Sequence, residues 1–517
     1  MHNQTQTRTA YLFLTAAIGL LLAAECLLNL PPPISRDALI HHLAIPKLWL
    51  RHGSFYEIPW AKYSYYPMNI DLLYLICLYF KNDIAPKVIH LIFGFGTGYL
   101  VYIYVNKRLG HIWGLLGGLV FLSTPIVVRL CTAAYVDLGL IFFTTASILS
   151  FLQWQSTRYK RIRWFILSAV AMGLAAGCKY NAMIPWAFTN LIIVFYFARD
   201  THTQGKAVIY GALFFAISML LVSPWYVKNY LLTSNPLYPL FDSLFNPASH
   251  PSSSDHSTGM GFFQRRELMY GESFWETLLI PLRMFFQGRD HSGQYFDGVL
   301  NPILIIFAPF GFLKKDMRRD MVLFTAFTIF LMILAFFLAV PRVRYILPVV
   351  PLLAIATTIG IKSLLDYSAK LRQRWIRYAV FTAILGTGLA CLTANGGYLK
   401  ERFNAFQPLN YISGKVSREQ FLTRHVGGYK AMQYINDHVP PDATVFLMFM
   451  AGRGYYLNRD YYHEASFGRK TITGFVNASM EGEQDFVARL RACRFSHILV
   501  RSDLLHKYLL DNFDHGA

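Results

Sequence analysis

Apolar segments long enough to cross a lipid bilayer recur down most of this chain. A helix rises about 1.5 Å per residue and the hydrocarbon layer is about 30 Å thick, so roughly 20 apolar residues make one crossing. Eleven segments qualify, near residues 10–30, 85–105, 111–128, 134–154, 163–178, 181–198, 207–226, 298–313, 320–340, 345–361 and 377–396. Composition agrees, because 54% of the 517 residues are hydrophobic and only 15% are charged. That leaves too little polar surface to clothe a water-soluble fold of this size. The expected class is an all-α polytopic membrane protein of about 11 transmembrane helices.

In a soluble protein a net charge of +19 would point to nucleic acid. Here the cations fall between the spans. With the N-terminus cytoplasmic, Lys107/Arg108, Arg158/Lys160/Arg161/Arg163, Arg199/Lys206, Lys314/Lys315/Arg318/Arg319 and Lys362/Lys370/Arg372/Arg374/Arg377 all share the cytoplasmic side. Short loops on the other side hold only Arg129, Lys179, Arg342 and Arg344. Cytoplasmic loops carry just such a Lys/Arg excess, so membrane topology accounts for the charge and no nucleic-acid partner is expected. The first apolar run, Tyr11 to Leu30, is too long for a usual signal-peptide core and has no small-x-small site before Pro31-Pro32-Pro33, so it reads as an uncleaved span. Five of the six cysteines lie in or beside apolar stretches, in neither a disulfide nor a zinc pattern.

This orientation sends three polar regions outside together: loop 31–84, loop 227–297, and the tail. Within the first, Asp37 to Arg51 suits a short interfacial helix bent at Pro46. Residues 247–261 are rich in Ser, Pro, His and Gly and read as mobile. From Gly428 the pattern changes to a helix at Tyr429–Asp437, a strand at Thr444–Met450, a helix near Glu483–Ala492 and a strand at His497–Val500. The division expected is a transmembrane catalytic domain over 1–396 and a small extracytoplasmic α/β domain over 397–517.

Several polar residues gather at the outer membrane boundary. Asp37 follows a proline-stiffened exit from the first span, where a carboxylate can take a proton from an attacking hydroxyl or can cap the next helix. His41 lies one helical turn from Asp37 and His42 beside it, as interfacial or substrate-binding groups; a metal site is not favoured, since adjacent histidines point about 100° apart on a helix. Asp137 stands at the mouth of the fourth span, either functional or starting a helix. Lys179 and Tyr180 occupy a tight turn, and Arg342, Arg344 and Tyr345 mark another boundary. These cations run against the positive-inside trend, and a lipid-borne phosphate would account for them, as would anchoring at the interface. Lys228, a further candidate ligand for such a phosphate together with Tyr345, closes the seventh span within Ser223-Pro-Trp-Tyr-Val-Lys228-Asn, a segment that an aromatic belt also explains. The chain has no phosphate-cradling glycine loop, nucleophile elbow or zinc motif.

Taken together, Asp37-Ala-Leu-Ile-His-His-Leu-Ala-Ile-Pro-Lys, Ala134-Tyr-Val-Asp137, Gly173-Leu-Ala-Ala-Gly-Cys-Lys179-Tyr, Ser223-Pro-Trp-Tyr-Val-Lys-Asn229, Asn235-Pro-Leu-Tyr-Pro and Arg344-Tyr-Ile-Leu-Pro resemble the GT-C superfamily of polytopic glycosyltransferases. The bacterial branch similar to protein mannosyltransferases and lipid A aminoarabinose transferases is the nearest in pattern. The resemblance implies a polyprenyl-phosphate-linked sugar donor, a lipid, glycan or protein acceptor, and an inverting displacement with Asp37 as general base. It also implies that Lys179, Arg342 and Arg344 touch the carrier phosphate, that a second acid stands at Asp137, and that the setting is a bacterial inner membrane. Several relatives carry two adjacent acids in the first loop, whereas Ala38 follows Asp37 here, which weakens the case for a metal: no cofactor is expected, and a divalent metal is not favoured. The alternative is a transporter or flippase of lipid-linked saccharide; against it, the notable charges gather at one face and not at the midplane.

Overall fold

The computed structural model describes residues 2–247, 261–337, 341–463 and 495–512. Helices dominate. In chain order they begin with α1 (His2–Asn29), a π-helical turn at Ala38–His42, α2 (Ala44–His52), α3 (Asn69–Tyr79), α4 (Ala85–Leu109) and α5 (His111–Leu122). Then come α6 (Pro125–Cys131), α7 (Asp137–Ser156), α8 (Ile162–Ala176), α9 (Met183–Thr201) and α10 (Gln204–Thr233). Later long helices run over Arg318–Phe336, Val350–Ser368 and Arg374–Phe406.

Among the described residues, eight helices are long and apolar enough to cross a membrane, or nine if a bent pair counts as one crossing. The sequence count was eleven, and the difference has a local cause. Each of the eleven segments carries helix, but three fall short of a straight crossing. Segment 111–128 breaks by 71° between α5 and α6, where Pro125 disfavours helix at Thr124 and cannot donate a backbone hydrogen bond. Segment 298–313 divides into Ile303–Ile306 and a 3-10 stretch at Ala308–Leu313, with Pro302 and Pro309 interrupting it. The third, α8, has only 15 residues.

Helix Val350–Ser368 forms the centre of the bundle, with 89% of its apolar window buried, while the window of Arg374–Ile412 is 6% buried. The outward side chains of the peripheral helices, such as Leu12, Phe13 and Leu20 on α1 and Trp375, Tyr378 and Phe381 on Arg374–Phe406, are large, apolar and exposed. Such surfaces suit lipid tails. The chain is a multi-pass membrane protein on these grounds. At one end of the bundle Arg108 of α4 reaches Asp320 at 3.0 Å; the polar loops and the tail collect at the other.

Among its described residues the tail contains helix Tyr429–His438 and three parallel strands, β1 (Thr444–Met448), β2 (Asp460–His463) and β3 (His497–Val500), in the order β2-β1-β3. Helix Ser502–Asn512 follows β3. The helix expected near 483–492, and most of the loop expected to be mobile at 247–261, lie outside the described residues. The tail is pinned to the first polar loop: Tyr456 donates to the Pro33 carbonyl at 2.7 Å, and the Tyr455 N–H to Leu39 at 3.2 Å. Lys47 of α2 donates to the carbonyls of Tyr455 and Leu457 at 2.6 and 3.1 Å and to the Asn458 side chain at 2.8 Å.

Candidate active site

The residues after α1 set the geometry. Asp37 precedes the π-helical turn without using its side chain as a cap, so its carboxylate is available elsewhere. In the turn the Leu43 N–H bonds the Ala38 carbonyl at 2.9 Å. This i to i+5 closure widens the helix and shifts the residue lying over Asp37 from His41 towards His42. Pro46 sits in the first turn of α2, where its missing N–H costs no helical bond.

Arg344 enters from the 3-10 turn Val343–Tyr345. Its guanidinium is buried and forks between two carboxylates, with Nη1 at 2.5 Å from Asp37 Oδ2 and Nη2 at 2.7 Å from Asp137 Oδ2. Lys179 Nζ approaches the other Asp137 oxygen at 3.4 Å. The Tyr135 ring lies 4.6 Å under the Arg344 guanidinium, and its hydroxyl accepts the Asp37 N–H at 3.2 Å. Behind this cluster His90 fixes the start of α7: Nε2 accepts the Leu138 N–H at 2.9 Å, so Nδ1 carries the proton given to the Leu130 carbonyl at 3.0 Å.

Two glycines of the Gly173–Tyr180 segment explain how Lys179 reaches this point. A Cβ on Gly173 would meet the Ser218 carbonyl at 2.7 Å, so α8 and α10 touch backbone to backbone. At Gly177 a Cβ would lie 1.9 Å from Asn69 Nδ2, and the Gly177 carbonyl accepts the Asn69 N–H at 2.9 Å. Lys179 is thereby set against the first polar loop.

A cavity of about 650 Å³ opens over these groups. Of the sequence candidates, Asp37, His41, His42, Lys179, Arg342, Arg344 and Tyr345 all contribute to its wall. Asp137 lies behind the wall, bound to Arg344 and Lys179. Tyr180 and Lys228 take part in scaffolding: Tyr180 donates to the Tyr238 carbonyl at 2.9 Å, and Lys228 to the Ser64 carbonyl at 2.6 Å. The rest of the Ser223–Asn229 segment also props the first loop, with Trp225 donating to Asn69 at 2.7 Å and Asn229 to the Tyr65 carbonyl at 2.7 Å.

Asp71 also lines the cavity and was not singled out from the sequence. The signal was present, since it is the one charged residue in the apolar stretch Asn69–Tyr79. Its Oδ1 meets His42 Nδ1 at 2.7 Å. The tail residues Phe449, Ala451, Gly452 and His463 complete the wall, and no sequence pattern connects them to the first loop.

The charges have clear causes. Burial alone would raise the Asp37 carboxyl, but the groups around it, the Arg344 guanidinium foremost, together outweigh burial and hold the carboxyl well below the usual carboxylate range. Burial drives His42 down to about 3 and His41 well below the usual imidazole range, and raises Asp71 to about 7. The cavity thus presents firmly ionised Asp37 and Arg344 next to neutral imidazoles. Among the described residues no group of three His, Cys, Asp or Glu side chains is placed to hold a metal ion.

Residues 60–235 match the family of dolichyl-phosphate-mannose-protein mannosyltransferases. The crystal structure of ArnT from Cupriavidus metallidurans in the apo state is similar with a TM-score of 0.55 at 16% identity, over 89% of this chain and 88% of that one. The same protein bound to undecaprenyl phosphate gives 0.54 at 14% identity, over 87% and 85%. The archaeal oligosaccharyltransferase AglB from Archaeoglobus fulgidus, in complex with an inhibitory peptide and a dolichol-phosphate, gives 0.51 at 11% identity, over 87% of this chain and 64% of that one. No curated protein sequence matches the chain. The chain is thus similar to the protein mannosyltransferases over residues 60–235 and shares the fold of ArnT.

Proposed function

We propose that this protein transfers a sugar from a polyprenyl-phosphate carrier to an envelope lipid, glycan or protein acceptor on the extracytoplasmic face of a bacterial inner membrane. The anomeric carbon inverts, and Asp37 is the group that receives the acceptor proton. The observation that carries this reading is Arg344 held between Asp37 and Asp137 in the wall of a cavity that also contains Lys179 and Arg342. Guanidinium and ammonium groups bind phosphate through charge-assisted hydrogen bonds. A carrier phosphate competing for Arg344 would loosen its hold on Asp37 and leave that carboxylate facing the acceptor hydroxyl. The similar structures support the donor class, since the ArnT structure holds undecaprenyl phosphate and the AglB structure a dolichol-phosphate.

The test is transfer from a panel of undecaprenyl-phosphate-linked monosaccharides to envelope extract, with purified protein in nanodiscs. Wild-type protein should release undecaprenyl phosphate and label an acceptor, and Asp37→Asn should lower the rate by about 10²–10⁴-fold. A normally inserted Asp37→Asn protein with full activity would remove Asp37 from the role of base.

A further inference from the structure

Asp37 is well placed to receive a proton and poorly suited to keep one. Its carboxylate is bound at 2.5 Å by a buried guanidinium, which favours the ionised form. A second acid–base unit stands in the same cavity wall. His42 is buried, its Nδ1 is fixed at 2.7 Å from Asp71 Oδ1, and its Nε2 is buried without a hydrogen-bond partner. Buried polar atoms are nearly always satisfied, so an unpartnered ring nitrogen in a cavity wall marks a place for an exchanging proton or a substrate hydroxyl. Asp37 precedes the π-helical turn and His42 ends it, and the i to i+5 closure turns His42 towards the Asp37 side of the helix.

We propose that His42, oriented by Asp71, takes over from Asp37 the proton that the acceptor hydroxyl gives up during glycosyl transfer. This rests on the glycosyltransferase reading above. The acceptor oxygen forms its bond to the anomeric carbon while the bond from that carbon to the carrier phosphate breaks, and the phosphate leaves with the electron pair. The acceptor proton goes to the Asp37 carboxylate, then to His42 Nε2, and from there to water. His42 Nδ1–H donates to Asp71 while Nε2 accepts, so Asp71 fixes the tautomer and stabilises the imidazolium that forms. Asp71 is a positioning residue.

The groups that face His42 are Asp37 and His41 on its own segment, Tyr135, whose ring centroid lies 5.6 Å away, Asp137, His90, Lys179 and Arg344 from neighbouring elements, and Asp71 of α3. Of these, Asp71 is the one raised to about 7. When Asp71 is protonated it donates to Nδ1, His42 carries its own proton on Nε2, and no acceptor remains. When Asp71 is ionised, Nδ1 holds the proton and Nε2 is open. The acidic limb of the rate profile is therefore the loss of one proton from the pair.

The experiment is the pH profile of undecaprenyl phosphate release by full-length protein in nanodiscs, with the same monosaccharide panel. Wild type should show an acidic limb near pH 7. Asp71→Asn should remove that limb and lower the plateau about 10-fold; His42→Gln should lower kcat by about 10–100-fold with KM unchanged. Undecaprenyl phosphate binding serves as the folding control for both variants. ¹⁵N spectra of histidine-labelled wild type provide a second reading, with Nδ1 of His42 protonated and Nε2 bare above pH 7. An active wild type whose limb persists in Asp71→Asn, or a His42 carrying its proton on Nε2 at pH 8, overturns the relay and leaves the transferase reading standing. A wild type inert towards the whole panel overturns both.

Discussion

Arg344 holds Asp37 at 2.5 Å across 307 residues of sequence. The same guanidinium grips Asp137 at 2.7 Å, so one side chain ties the first polar loop, the start of α7 and the entry to the central helix. Bidentate recognition of this kind belongs to arginine, and a lysine ammonium cannot reproduce it.

Removing one partner from a buried ion pair leaves an uncompensated charge, at a cost of about 3–5 kcal/mol. Arg344→Gln should therefore unfold at a clearly lower temperature than wild type in detergent, with Arg344→Lys between them. The pair also sets an acid limit. Asp37 has a folded pKa below its unfolded value of about 3.9, so its stabilising contribution is complete above that value and is lost as pH falls through the folded one. Wild type should lose melting temperature as pH drops below about 4, and Arg344→Gln should lose less over the same interval. Equal slopes in the two proteins would show that the Asp37 carboxylate gains nothing from Arg344.

Lys179 and Lys228 offer a direct contrast, since both looked like phosphate ligands in the sequence but only Lys179 faces the cavity. Hydrogen bonds to charged groups contribute about 1.5–3 kcal/mol, so Lys179→Met should weaken undecaprenyl phosphate binding by roughly 10–100-fold. Lys228→Met should leave the affinity unchanged and lower stability through the lost bond to the Ser64 carbonyl. Titration with undecaprenyl phosphate in nanodiscs decides it, and the reverse order would move the phosphate site to the end of α10.

The distinction between those two lysines shows what the sequence made legible. Span positions followed from runs of apolar residues, because lipid imposes a length and a composition on every crossing. Asp37, Lys179 and Arg344 stood out because charges at a membrane boundary are costly without a partner. Which partner each takes depends on contacts across hundreds of residues, and there the one-dimensional pattern failed. Lys228 and Tyr180 turned inward to brace the first loop, and Asp71, hidden in an apolar run, turned out to face the cavity. The π-helical turn at Ala38–His42 leaves no mark in composition, yet it brings His42 round towards Asp37's face beside His41.

Gly177 carries a third prediction. Any side chain there meets Asn69, whose Oδ1 also accepts the Trp225 indole N–H. Gly177→Ala must push Asn69 aside and break that contact, at about 1–3 kcal/mol for overpacking. Lys179, two residues on, should shift with it, so melting temperature and undecaprenyl phosphate affinity should fall together. A variant that loses stability but keeps wild-type affinity would show that Lys179 is positioned by Asp137 alone.

The tail gives the last prediction. Phe449, Ala451, Gly452 and His463 close the cavity from outside, and their position depends on Lys47, which spans from α2 to Tyr455, Leu457 and Asn458. A cavity without this wall admits water and holds the reacting groups less firmly, and misplacement by about 1 Å is enough to cost on the order of 100-fold in rate. Deleting residues 428–517 should therefore lower transfer by at least about that factor while the helical bundle still inserts and melts cooperatively. Lys47→Met, which removes the strut and keeps the wall, should give a smaller loss. The order matters: a truncated protein with full activity in nanodiscs would assign the tail to docking an acceptor or partner, and a Lys47→Met protein as impaired as the truncation would make the strut, and not the wall itself, the part that catalysis needs.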